Sequence, residues 1–255
     1  MSDSGESDEI LCGFGDIAPD PPDKRPTCSR CRRPLTVCWC AYLPRNPISV
    51  RTKVTILQHP YEASRRLRTA PMLYYGLQPG QCTIIQGKKF KLNKYPDIER
   101  LIQDPNTILL FPGEKSQDLA SLHPRSDDIQ YNLVLLDGTW MQARGLFCQN
   151  PFMRQLKQVQ LSSPCLSEYI IRTQPTDRCL STLETAVYAI ALLENRPDII
   201  QPLLSPLRAM CKFQIEHGAL KHHSKQYLID NGLYKKQEPP TESHALKSNR
   251  NHFGS

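Results

Sequence analysis

Four short apolar runs punctuate the chain: VTILQH (54–59), CTIIQG (82–87), TILLF (107–111) and LVLLD (133–137). Each ends on Gly or is followed directly by Gly or Pro. Runs of this length that do not alternate with polar residues predict strands buried on both faces. QVQL (158–161) and YIIRTQ (169–174) predict two weaker strands. Between the strands the spacing turns helical. EASRRLRTAPMLYYGL (62–77) predicts a helix broken at Pro71, and TWMQARGLFCQ (139–149) a second. STLETAVYAIALLEN (181–195) is the clearest, with Leu183, Val187 and Ile190 on one face and Ser181 and Glu184 spaced as a capping box. PDIIQPLLSPLRAMCKFQIEHG (197–218) continues with prolines near helix starts. Apolar strands alternating with helices predict an α/β fold, a largely parallel sheet with helices on both faces. Ligands in such sheets bind beyond the carboxyl ends of the strands, where LVLLD-GTW and TILLF-PGE place their polar residues.

Length and charge divide the chain. Its 255 residues suffice for one large domain and a small appendage. Residues 1–26 read as a disordered acidic tail, 27–45 as a cysteine-rich element, 46–234 as the main domain and 235–255 as a disordered basic tail. Residues 1–23 hold seven acids and no Lys or Arg, so the remainder carries 32 basic against 18 acidic side chains. Such a surface suits a polyanion, above all nucleic acid, although solubility alone also selects charge. No stretch is long and apolar enough for a membrane span, and no secretory signal is expected. Ten cysteines in that setting predict reduced thiols and metal binding rather than a disulfide framework.

CSRCRRPLTVCWC gathers Cys28, Cys31, Cys38 and Cys40 within thirteen residues. Four thiolates predict a closed, structural zinc site that replaces burial in an element too small for its own core. A redox pair or unconnected thiols are the alternatives. Trp39, inside the second pair, is expected to pack against the main domain. The scattered cysteines, Cys12 and Cys165 among them, read as apolar residues.

Asp137 ends a strand and precedes a helix, a place where Asp serves as a turn or N-cap residue. Its company points further. FPGE from Phe111 and QHP (58–60) end other strands, and Ser181, Thr182 and Glu184 open a helix whose free N–H groups could hold a carboxylate or phosphate. No glycine-rich phosphate loop of a familiar pattern is present. His59 is the histidine nearest this chemistry; His222 and His223 read as part of a basic helix face.

Asp137-Gly138-Thr139-Trp140 matches the Asp-x-Thr-Trp signature, and QHP with Glu62, FPG (111–113), YIIR (169–172) and LSTLE (180–184) follow in order. Over roughly residues 27–234 the chain resembles the DTW-domain family, and most of all its second type of tRNA-uridine aminocarboxypropyltransferase. The resemblance implies a SPOUT-like, knotted α/β fold that binds S-adenosylmethionine. It also implies transfer of the 3-amino-3-carboxypropyl group to N3 of a tRNA D-loop uridine, releasing methylthioadenosine. The sulfonium is an activated leaving group, so this reaction demands neither a catalytic metal nor a general acid. In this light Asp137 accepts the N3 proton or orients the uracil, Trp140 walls the pocket, and Thr139 completes the catalytic set. Phe111, Pro112, Gly113 and Leu161 would contact the adenosine, Ser181 and Thr182 the methionine carboxylate. Glu184 would bind the amino group or cap its helix. Arg65, Arg66, Arg68, Lys88 and Lys89 are candidates for the tRNA backbone, and Arg172 for a phosphate contact or a salt bridge inside the sheet. A monomer in cytoplasm and nucleus is expected from the resemblance. Two other readings are a methyltransferase using the same cofactor and a zinc-containing RNA-binding protein without catalysis.

Overall fold

The computed structural model describes residues 25–122, 129–162, 166–177 and 179–234. The two tails therefore lie almost wholly outside the described residues, as do Cys12 and Cys165.

Among the described residues six strands form one sheet: β1 (Lys53–Gln58), β2 (Cys82–Gln86), β3 (Thr107–Leu110), β4 (Gln117–Asp118), β5 (Asn132–Asp137) and β6 (Lys157–Gln160). Their order is β2-β1-β5-β3-β6-β4 and every pairing is parallel. The helices are α1 (Pro60–Ala63), α2 (Ala70–Gly76), α3 (Pro96–Gln103), α4 (Trp140–Gln149), α5 (Thr182–Glu194), α6 (Ile200–Glu216) and α7 (Lys225–Asp230). The pleat sends alternate strand residues into two cores. Val54, Ile56, Leu110, Leu133, Leu135 and Val159 pack with α2, α5 and α6. Leu57, Leu109 and Val134 face the other way, onto Ile98 of α3 and Ala143 and Leu146 of α4. Helices thus cover both faces, as the unbroken apolar strands predict. Among the described residues no helix is long and apolar enough to cross a membrane.

Three local readings change. The stretch 62–77 is two helices separated by residues 64–69, and Pro71 stands in the first turn of α2, where its missing N–H costs nothing. YIIRTQ forms no strand. Its alternation arises because Tyr169 and Ile171 are buried under one side of an irregular segment held by turn hydrogen bonds. His222 and His223 precede α7 rather than lying on a helix; the His222 N–H donates to the Ile170 carbonyl.

The cysteine-rich element is built from two 3-10 turns, Leu35–Val37 and Cys40–Tyr42. Trp39 is buried in the core shared with α6, and the Tyr42 ring meets Phe213 of α6 edge-on.

Candidate active site and four-cysteine cluster

The strands β1 and β5 end side by side, and their register sets Gln58 against Asp137. Both continue the sheet face that packs on α5, so the first polar pair beyond the apolar core meets the start of that helix. Gln58 Nε2 donates to Asp137 Oδ2 at 2.7 Å, and Thr182 Oγ1 donates to Asp137 Oδ1 at 2.5 Å. Asp137 is only 4% exposed. Burial holds its carboxyl above the usual carboxylate range, against the opposing pull of these two hydrogen bonds.

The helix cap is Thr139 rather than Asp137. Thr139 Oγ1 accepts the Gln142 N–H at 3.3 Å, and Gln142 Oε1 accepts the Thr139 N–H at 2.8 Å. Gly138 lets this turn close: a Cβ there would sit 2.9 Å from both Cβ and Oε1 of Gln142. Trp140 then opens α4 with 43% of its surface exposed. An indole so placed adds little to the core and is free to meet a planar ligand.

A second cluster adjoins Asp137. The His59 N–H donates to the Asp137 carbonyl at 2.8 Å, and His59 Nδ1 accepts the Tyr61 N–H, which starts α1. That helix carries Glu62 into the interior at 2% exposure. Arg172 Nη1 lies 3.2 Å from Glu62 Oε1, and Arg65 Nε lies 3.2 Å from Oε2 at ion-pair distance but without hydrogen-bond geometry. Arg172 therefore forms a salt bridge, with α1 and not within the sheet. Its guanidinium stands 6.0 Å from the Tyr169 ring centre, and the Tyr169 hydroxyl donates to the Leu67 carbonyl. Burial pushes that phenol up to about 12.

Asp137, Arg65, Tyr169 and Arg172 border a cavity of about 750 Å³ beyond the carboxyl ends of β3, β5 and β6, while Gln58, His59 and Glu62 do not line it. Small-molecule sites commonly measure roughly 300–1,000 Å³. Phe111 and Pro112 line it after β3, Leu161 after β6, and Ser181 and Thr182 from the start of α5. Asp137, Thr139 and Trp140 face the same space, with Arg65 and Arg172 also on its wall. Gly113 and Glu184 do not line it. The Gly113 N–H turns to Ser116 Oγ. Glu184 is fully buried, and its carboxylate accepts the Ser181 N–H at 2.7 Å, the Glu168 N–H at 2.6 Å and the Ser167 hydroxyl.

The DTW domain matches residues 25–215. The chain belongs to the DTW-domain family. It is 45% identical over 221 residues to the tRNA-uridine aminocarboxypropyltransferase 2 of Drosophila melanogaster, covering 86% of this chain and 87% of that protein. It is 44% identical over 217 residues to the Mus musculus protein of the same name, covering 85% and 73%. The tRNA-uridine aminocarboxypropyltransferase A of Arabidopsis thaliana is 26% identical over 223 residues, covering 76% and 83%. No solved structure matches the chain.

The DTW match includes the four cysteines, whose Sγ atoms all lie within 4.8 Å of one another. Cys28 and Cys40 stand 3.8 Å apart, Cys31 and Cys38 3.6 Å. A tetrahedron with metal–sulfur bonds of about 2.3 Å has edges of about 3.8 Å, whereas a disulfide needs about 2.05 Å. Arg32 at φ 59° takes the left-handed conformation that closes the turn, in which Cys28 N–H donates to Arg33 O and Arg32 N–H to Cys28 O. Backbone hydrogen bonds from Cys31 and then Arg30 bring the Cys28 thiol down to about 6, while burial pushes Cys31 up. Arg33 is buried beside the cluster, and its Nε and Nη1 have no hydrogen-bond partner among the described residues. An orphaned cation against four cysteines fits an anionic tetrathiolate metal centre better than four neutral thiols.

The basic residues of the DTW domain divide. Arg66, Lys88 and Lys89 are exposed, and Lys88 Nζ stands 5.0 Å from the Tyr61 ring centre on α1. Arg68 turns back to the Ala63 carbonyl at 2.5 Å. Sequence reasoning quoted Gln58 within QHP and Tyr169 within YIIR without giving either side chain a role, and did not single out Arg33. Gln58 left a signal of its own, as a polar residue two positions beyond Ile56 at the carboxyl end of the strand.

Proposed function

We propose that this chain is a tRNA-uridine aminocarboxypropyltransferase. The reading is carried by 41–45% identity, over most of the chain, to proteins of that name. The strand-end cavity with its buried carboxylate supplies a place for the reaction. S-adenosylmethionine, when bound, supplies an aminocarboxypropyl carbon activated by its sulfonium. The other reactant is N3 of a D-loop uridine, and methylthioadenosine is the by-product.

The chain's own residues then have distinct work. The backbone around Phe111 and Pro112, with Leu161, would hold the adenosine. The start of α5 at Ser181 and Thr182 would receive the methionine carboxylate through the helix's first N–H groups from Thr182 onward, since the Ser181 N–H is already held by Glu184. Glu184 builds that helix start and the loop at Glu168, and we assign it no ligand. Asp137 accepts the N3–H edge of the uracil. Its desolvated carboxyl holds a proton more readily than a free Asp does, which suits it to accept one. Thr182 and Gln58 keep its oxygens in place, and Trp140 offers the uracil or the adenine a face to stack on. Arg65, Arg66, Lys88 and Lys89 would take tRNA phosphates, with Arg172 anchored by Glu62 at the cavity wall.

The four cysteines would hold zinc in a closed, structural site that substrate does not enter. We further propose the SPOUT-like knot that the family resemblance implies; the parallel strand order, with β5 between β1 and β3 and β6 between β3 and β4, is compatible with it. We further place the protein as a monomer in cytoplasm and nucleus. Incubation with tRNA and S-adenosylmethionine, followed by mass spectrometry of the nucleosides and the by-product, tests the reaction. Aminocarboxypropyl-uridine with methylthioadenosine is expected. A methyl gain with adenosylhomocysteine, or tRNA binding without modification, would overturn the reading.

A further inference from the structure

We propose that Arg33 is the internal counter-cation of the four-cysteine centre and joins that centre to the wall of the strand-end cavity. Arg33 is 6% exposed, and its Nε and Nη1 are buried without a hydrogen-bond partner among the described residues. Native proteins rarely leave such groups unanswered, and a guanidinium does not shed its proton to escape the cost. Its backbone carbonyl closes the cysteine turn by accepting the Cys28 N–H at 2.8 Å, which fixes the residue against the cluster. The ionisable groups close enough to act on its charge are Cys31, Tyr169 and Cys38.

Four thiolates around one divalent ion leave a net charge of about −2. Protonated thiols leave none. Metal loading thus creates the charge that Arg33 lacks, and unloading strands a cation in the core. The stranded cation would act electrostatically on Tyr169, which lines the cavity and whose hydroxyl donates to the Leu67 carbonyl in the segment bearing Arg65, Arg66 and Arg68. Arg33 is therefore a positioning residue that couples metal occupancy to one wall of the site.

The inference rests on reading the cysteines as a zinc centre, and the test separates the two. Zinc content of the full chain is measured, then zinc affinity by chelator competition and the gap in Tm between loaded and chelated protein. Arg33→Met is expected to bind zinc at least tenfold more weakly and to narrow that gap. Arg33→Lys, which keeps the charge, is expected to stay within threefold of wild type. Unchanged affinity and gap in Arg33→Met overturn the assignment, as does a lysine variant as weak as the methionine one. Should Arg33→Met not fold, Arg33→Gln, with donors but no charge, takes its place under the same criteria. Wild-type protein that binds no zinc removes the metal reading and this inference together.

Discussion

Asp137→Asn separates the chemistry of the strand-end carboxylate from its structural cost. The side chain keeps its shape but loses its charge. Hydrogen bonds to a charged acceptor are worth about 1.5–3 kcal/mol each, and Asp137 accepts two from protein donors. Asn retains one acceptor for the Thr182 hydroxyl, and Gln58 must turn its amide to meet the new NH₂. Against this weakening stands relief of a carboxylate held at 4% exposure, itself a cost of several kcal/mol. The two effects oppose each other and leave a net change within about 1–2 kcal/mol. The pH dependence fixes the sign. Burial raises the folded carboxyl above its unfolded value, so its contribution to stability is full in acid and lost as pH rises through the folded value. Asn does not ionise and suffers no such loss. Urea unfolding should therefore find Asp137→Asn as stable as wild type or more so at neutral pH, with that relative gain fading toward about pH 4. Modified uridine per unit time, counted by mass spectrometry, should fall at least about 100-fold. A stability loss beyond about 3 kcal/mol at neutral pH would mean that the hydrogen bonds outweigh the desolvated charge. Retained turnover would remove Asp137 from the mechanism.

Other perturbations probe the surrounding scaffold. Glu62→Gln unties Arg172 and Arg65, both partly solvated, so urea unfolding should show a loss of about 1–2 kcal/mol. The same variant should raise KM for tRNA more than it lowers kcat; the reverse pattern would place Glu62 in the chemical step. Trp140→Ala should leave stability within about 1 kcal/mol because the indole is half-exposed, yet weaken ligand binding by about 1–3 kcal/mol in calorimetry if it stacks on a base. Gly138→Ala should cost about 1–3 kcal/mol in urea unfolding, since its Cβ would press on Gln142 and open the α4 cap; wild-type stability would show that the turn yields freely.

The sheet was legible because a parallel strand is buried on both faces and writes itself as an unbroken apolar run, as LVLLD does. YIIRTQ misled because a loop packed on one side buries alternate residues just as a half-exposed strand would. The two residues of β4 are too few to leave a pattern, and PDIERLIQ of α3 presents one buried isoleucine among charges. At the site, Asp137, Trp140 and the start of α5 announced themselves by standing at element boundaries. Glu184 announced its capping box as well, but its further bonds to Ser167 and Glu168 depend on a loop brought from sixteen residues away. Arg33 is one of three arginines in RCRR (30–33), whose letters do not reveal which one is buried.

The strand order has a consequence for synthesis on the ribosome. Strands β1 and β2 can pair as soon as both have emerged. Strand β3 cannot, because its neighbours β5 and β6 are made later. TILL therefore waits with both edges open while the next twenty or so residues are added, at roughly 5–20 residues per second. When β5 arrives it must slot between β1 and β3 at once, joining two halves that had no contact across it. Such late, long-range parallel pairing is slow and leaves an apolar edge open to other chains. The nascent protein thus passes through a window of aggregation risk that narrows when the strand bearing Asp137 docks and closes only when β6 covers the other edge of β3, so the carboxylate reaches its site in the step that joins the two halves of the sheet.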